Sequence, residues 1–239
     1  MTLKVLYFDV ETIPDYSRSD LWQQGIVAPD PPVTATPEEA AFLAQQYQKR
    51  QMKRMALQPE ACQIVGLNVI LGDGEPKSGW AGEINPATGQ AFSESDLLTL
   101  FWSWAAQCPR LIGFNCLRFD IPVILTRSAL LGVMPTVNFF DEKPWSDRVV
   151  DLLRRRFKDA SRDSYMSLKA LRRVLQLPIP EKYAEVMDNT GADVESLYLQ
   201  FLAGDQEALR LLKLYGELDV LSTKLLAQLW SGYFFGRIE

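Results

Sequence analysis

Apolar and polar residues succeed one another along the chain with two periods, and the period predicts the element in each segment. Residues 3 to 10 (LKVLYFDV) are a mostly apolar run and predict a buried first strand, followed by a stretch holding Pro29, Pro31 and Pro32. Thr36-Pro37-Glu38-Glu39 reads as a helix start, with Thr36 as N-cap, Pro37 as first helical residue and Glu39 as capping-box partner. That helix runs to about Leu57, is weakly amphipathic, and carries Lys49, Arg50, Lys53 and Arg54. Residues 62 to 72 (CQIVGLNVILG) and 78 to 83 predict two strands joined by the turn GDGEP. An amphipathic helix over Ser93 to Gln107 leads to a short strand, LIGFN, at 111 to 115, and residues 120 to 131 predict a helix ended by Gly132. Ser167 to Leu175, Asp193 to Ala203 and Asp205 to about Leu229 all have helical periodicity. The order predicts a single α/β domain over residues 1–239, a mixed sheet flanked by helices with a helix-rich C-terminal half. Residues 15 to 60 form an excursion from that plan.

Composition narrows the chemistry. With 239 residues, of which 47% are hydrophobic and 23% charged, the chain has the make-up of a globular protein with a full core. No apolar run approaches the roughly 18 residues of a membrane span, and no secretory leader opens the sequence, so a cytoplasmic protein without membrane contact is expected. Cys62, Cys108 and Cys116 have no metal-ligand spacing and leave one over if paired, which predicts reduced thiols. There is no histidine at all. Ser-His-Asp and Cys-His catalysis and His-ligated zinc are thereby excluded, and a metal must sit on carboxylates, which favours Mg2+ or Mn2+.

The net charge of −5 is unevenly spread. Arg148 to Arg173 holds nine Lys or Arg against three Asp, a local +6 on an acidic chain. Such a patch suits a nucleic-acid strand led to a negative site, and equally a solvated helix face.

Three groups of acids stand out. Asp9 and Glu11 are two apart at the end of the first strand, so their carboxylates share a face. Asp120 follows Asn115 and Phe119 just after the strand LIGFN, where it also suits the N-cap of the next helix. Tyr215 and Asp219 are four apart on the last helix, on one face. Asp219 lies among Leu211, Leu214, Leu218, Val220, Leu221 and Leu225, at a buried stripe, and an isolated buried carboxylate costs several kcal/mol. Either a metal shared with other carboxylates or a hydrogen bond from Tyr215 would offset that cost.

In order, FDVET, NxxxFD and YxxxD resemble the three exonuclease motifs of the DEDD superfamily. The tyrosine four before the last Asp resembles the DEDDy branch, which includes ribonuclease D and the proofreading domains of family B DNA polymerases. LIGFNCLRFDIPVI, SLKALRRVL and GDQEALRLLKLYGELDVLSTKLL extend the likeness from about residue 4 to 230, with residues 15 to 60 unaligned. The resemblance implies a ribonuclease H-like fold with two Mg2+ or Mn2+ ions, about 3.5–4 Å apart in such sites. By the family pattern Asp9 bridges both ions, Glu11 and Asp219 complete one site, and Asp120 serves the other directly or through water. Tyr215 would orient the attacking water, and Thr12, Asn115 and Phe119 would shape the slot for the terminal nucleotide.

The expected activity is 3′–5′ exonucleolytic hydrolysis of single-stranded DNA, or of frayed 3′ ends, to nucleoside monophosphates. Single-stranded nucleic acid, DNA before RNA, is the expected partner, with any replication or repair partner undefined. The alternatives are an exoribonuclease like ribonuclease D and a module on the same fold that grips 3′ ends without cutting.

Overall fold

Strand β1 (Val5–Pro14) is buried on both faces, which is why its sequence reads as a nearly continuous apolar run. Leu6, Phe8 and Val10 face one core layer with Phe101 and Trp102, while Val5 and Tyr7 face another with Leu171, Leu226 and Trp230. The computed structural model describes residues 5–18, 30, 32–138, 148–153 and 166–231. Their strands form a mixed five-stranded sheet in the order β3-β2-β1-β4-β5, with β2 (Cys62–Leu71), β3 (Lys77–Trp80), β4 (Arg110–Gly113) and β5 (Val149–Asp151). β1 pairs antiparallel with β2 and parallel with β4; β3 extends the antiparallel edge and β5 the parallel one.

The helices are α1 (Pro37–Arg54), α2 (Glu94–Gln107), α3 (Asp120–Leu131), α4 (Leu168–Val174), α5 (Gly191–Leu202) and α6 (Gln206–Trp230). The expected capping box of α1 is present: Glu39 N–H donates to Thr36 Oγ1 and Thr36 N–H to the Glu39 carboxylate. α3 ends at Gly132, whose φ of 68° suits the left-handed position. The long α6 spans both core layers, giving Leu212, Tyr215 and Leu218 to one and Val220, Leu226 and Trp230 to the other. Among the described helices none is long and apolar enough to cross a membrane. All three cysteines are free and buried.

Several expectations need correction. β1 continues four residues past Val10, because β2 pairs with it as far as Pro14, with a register shift between Glu11 and Thr12. Asp9 and Glu11 therefore lie inside a strand, opposite Asn68 and Gly66, and not at its exit. β5 was not expected at all. The helix to Leu57 is α1 plus a separate 3-10 turn, Met55–Leu57. Asp120 is not an N-cap: Phe119 holds that position without a side-chain cap bond, and the Asp120 carboxylate reaches another strand.

Candidate metal centre

The site forms where β4 peels away from β1. The two strands pair only over Val5–Tyr7, while β2 accompanies β1 to Pro14. The backbone of β1 beyond Tyr7 is thus free of β4, and Asp120, the first residue of α3, fills the gap. Its Oδ1 accepts from Val10 N–H at 3.0 Å. Val10 stands between Asp9 and Glu11, so one hydrogen bond locks the second acidic group against the first.

The third group comes from α6. One oxygen each of Asp9, Glu11 and Asp219 lie within 4.8 Å of one another. Glu11 is buried and the other two are half-buried. Asp120 is not one of this close trio, though its charge acts on both Asp9 and Glu11. The Tyr215 hydroxyl is hydrogen-bonded to Asp219, one helical turn away.

Crowding of like charges away from water leaves its mark on every acid. Burial, then Glu11, Asp120 and Asp219, hold the Asp9 carboxyl well above the usual range. Burial and the Asp219 charge push Glu11 up to about 8. Burial takes Asp120 to about 7 despite the Val10 N–H that favours its ionised form. Asp219 is raised by burial, with Arg172 and Tyr215 pulling the other way. The Tyr215 phenol is raised by burial and then by Glu11, Asp219 and Asp9, so it stays protonated and acts as a donor. A close set of hard oxygen donors, whose mutual repulsion a cation would relieve, fits a divalent metal ion.

Two positioning side chains escaped the sequence reading. Arg172, only 2% exposed, pairs with Asp219 Oδ1 at 3.2 Å and donates to Ser222 Oγ and the Met187 carbonyl. Its Nε is buried without a partner. Asn68, fully buried in β2, donates from Nδ2 to Asp9 Oδ2 at 3.4 Å. Its Oδ1 accepts from Ser78 Oγ at 2.7 Å, and Ser78 accepts from Trp80 Nε1 at 2.8 Å. The chain of donors fixes which end of the amide faces Asp9. Arg172 was legible only as one more cation in a basic run, and Asn68 only as a polar interruption of an apolar strand.

The residues expected to hold the terminal nucleotide have structural bonds of their own. Thr12 Oγ1 donates to the Ala56 carbonyl at 2.6 Å, tying β1 to the turn after α1. Asn115 takes a left-handed backbone (φ 62°) and its N–H donates to Asp151 Oδ1 at 3.1 Å. Phe119 is half-buried against the core. The basic run from Arg148 to Arg173 is in large part outside the described residues, 154–165 among them. Of its described members, Arg172 is tied to Asp219, and Lys169 and Arg173 are paired with Asp188.

A mixed sheet with acids from its central strand, from the start of the helix after β4 and from a late helix defines an α/β protein with a carboxylate centre. The family model of the RNase H superfamily matches residues 84–231, more than half of the chain, and the chain belongs to that superfamily. The matched part holds Asp120, Tyr215 and Asp219 and begins after β1. No curated protein matches the chain. Among solved structures, the family B DNA polymerase of the hyperthermophilic archaeon Pyrobaculum calidifontis superposes with a TM-score of 0.58 at 18% identity, over 95% of this chain. The chain spans 24% of that polymerase, and the likeness is one of fold. Two structures of exonuclease I superpose more loosely, at TM-scores of 0.45 and 0.41 with 14% and 15% identity. They cover 96% and 97% of this chain and about two fifths of theirs (41% and 42%), too loose a fit to bear on the assignment.

Proposed function

We propose that the protein is a metal-dependent 3′–5′ exonuclease of the DEDDy type that hydrolyses single-stranded DNA or frayed 3′ ends to nucleoside monophosphates. The observation that carries this reading is the convergence of Asp9, Glu11 and Asp219 within 4.8 Å, backed by Asp120 and by the Tyr215 phenol. In this reading residues 1–239 act as one exonuclease domain.

Asp9, Glu11 and Asp219 would hold Mg2+ or Mn2+, with Asp120 serving the second of two ions. Divalent ions bound there supply the Lewis acidity that makes water nucleophilic at neutral pH and offsets charge on the departing oxygen. The residues do the rest. Tyr215, a neutral phenol anchored on Asp219, orients the attacking water. The water oxygen adds to the terminal phosphorus, the bond to the 3′ oxygen of the preceding nucleotide breaks, and a proton ends on that oxygen. A nucleoside 5′-monophosphate leaves and the shortened strand carries a new 3′-OH. Phe119, half-exposed beside Asp120, offers a ring on which a terminal base can stack.

The test is to incubate matched single-stranded DNA, single-stranded RNA and mismatched duplex with Mg2+ and with Mn2+. Nucleoside monophosphates from the DNA strand support the reading. Turnover of RNA alone favours an exoribonuclease, and tight 3′-end binding without turnover favours a non-cleaving module.

A further inference from the structure

Helix α1 is 18 residues long and buries none of them. From Ala40 to Pro59 the chain has no Asp or Glu, although the protein as a whole is acidic at −5. The four cations in that run, Lys49, Arg50, Lys53 and Arg54, are all exposed. Lys49 and Lys53, and likewise Arg50 and Arg54, are four apart and so stack on neighbouring faces, where like charges destabilise a helix. Favourable interaction with the helix dipole accounts for Lys53 and Arg54 in the last turn, but not for Lys49 and Arg50 a turn earlier.

Several cations elsewhere are neutralised where they stand. Arg127 pairs with Asp15 and Glu94, Lys182 with Glu217, Lys213 with Glu83 and Arg210 with Glu185 and Glu207. Among the described residues no ion pair engages any of the four on α1. Their position is also fixed. The turn that follows them sinks Met55 into the core at 0% exposure, and the Ala56 carbonyl accepts from Thr12, the neighbour of Glu11. The cationic end of the helix is therefore anchored to the catalytic end of β1.

We propose that Lys49, Arg50, Lys53 and Arg54 form a track for the phosphate backbone of the single strand upstream of its 3′-terminal nucleotide. This rests on the nuclease reading of the site beside it. The exposed glutamines Gln45 and Gln48, just before the cations, add uncharged donors without repelling phosphate. Within the basic run at Arg148–Arg173, the charges of Lys169, Arg172 and Arg173 face Asp188 and Asp219 and so are turned from this role.

The test is binding of a fluorescent 20-nucleotide DNA strand by the full chain, read by anisotropy in EDTA across a salt series, beside hydrolysis of the same strand in Mg2+. Lys49, Arg50, Lys53 and Arg54 are replaced together by Gln. A control variant changes Lys77, Lys182, Arg210 and Lys213 to Gln, with the same loss of charge elsewhere. Each phosphate contact on a single strand contributes about 0.7 to the slope of log K against log salt, so the α1 variant should lose up to roughly three units. Its affinity at low salt should fall roughly tenfold or more, with the control near wild type. Equal slopes in wild type and α1 variant, or an equal loss in the control, would overturn the track. Strand binding that depends on α1 with no hydrolysis by the wild type would overturn the nuclease reading and leave the track standing. Absence of both strand binding and hydrolysis by the wild type would overturn both.

Discussion

Replacing Gly216 with alanine strikes the carboxylate centre through a single methyl group. Gly216 follows Tyr215 on α6, and a Cβ there would lie 2.0 Å from Asn68 Oδ1, 2.4 Å from its Cγ and 2.6 Å from its Nδ2. Real Cβ contacts essentially never fall below 3.0 Å, so the amide must retreat by about an ångström or α6 must shift. Asn68 has no slack, because Oδ1 is held by Ser78 and Nδ2 faces Asp9. Overpacking costs about 1–3 kcal/mol and a broken buried hydrogen bond about the same, against a gain of about 1 kcal/mol from helix propensity. A net destabilisation of about 3 kcal/mol should lower Tm by roughly 6–12 °C in a chain of this size. Displacement of Asp9 by about an ångström should slow hydrolysis by roughly 10²-fold. Calorimetry and single-turnover hydrolysis measure the two effects. The double variant Asn68→Ala/Gly216→Ala makes room for the methyl group and should be less destabilised than the two single changes taken additively. A Gly216→Ala protein that melts with wild type and cuts at the wild-type rate would refute the packing of Asn68 between α6 and Asp9.

Other consequences follow from the same site. Arg172→Met should destabilise the metal-free protein by about 3–5 kcal/mol, because Asp219 loses its buried partner, and by much less in an Asp219→Asn background; urea melts of the four proteins measure the coupling. Asp9→Asn should raise the Tm of the metal-free protein by relieving repulsion, while abolishing the rise that Mn2+ gives wild type, about 2.7 kcal/mol at a hundredfold excess over Kd. In the metal-free protein the folded state holds a proton on Glu11 up to about pH 8, against 4.5 ordinarily. Its stabilising contribution is therefore full below about pH 4.5 and falls as pH rises to about 8, a slope that saturating Mg2+ should flatten in denaturant melts. Tyr215→Phe should slow turnover by ~10²–10⁴ in rapid-quench assays while leaving the metal-induced Tm shift in place.

The acids of the proposed centre were legible because such chemistry demands residue types and spacings that survive without any knowledge of packing. Asp9 and Glu11 share a strand face by the period of two, and Tyr215 and Asp219 share a helix face by the spacing of four. The capping box at Thr36 and the stop at Gly132 were legible for the same local reason. What stayed hidden depends on contacts distant in sequence. β5 is three residues long and its Asp151 receives N–H bonds from Asn115 and Leu117, so nothing in its own composition announces a strand. Arg172 looks like a surface cation until α4 is laid against α6. The extension of β1 to Pro14 follows from its pairing with β2, and the use of Asp120 as a brace for Val10 follows from the early departure of β4.

The most direct test of the central claim uses a 5′-labelled single DNA strand with a free 3′-OH, in Mg2+ or Mn2+, with the same strand carrying a 3′-phosphate as its companion. A terminal phosphate adds ≈ −1.5 to −2 charge beside Asp9 and Glu11, so it should inhibit. The expected result is a ladder of progressively shorter labelled strands from the free 3′ end, slow cutting of the blocked strand, and no cutting by Asp219→Asn. Early release of the 5′ label as a mononucleotide, rapid cutting of a circular strand, or undiminished cutting by Asp219→Asn would contradict it.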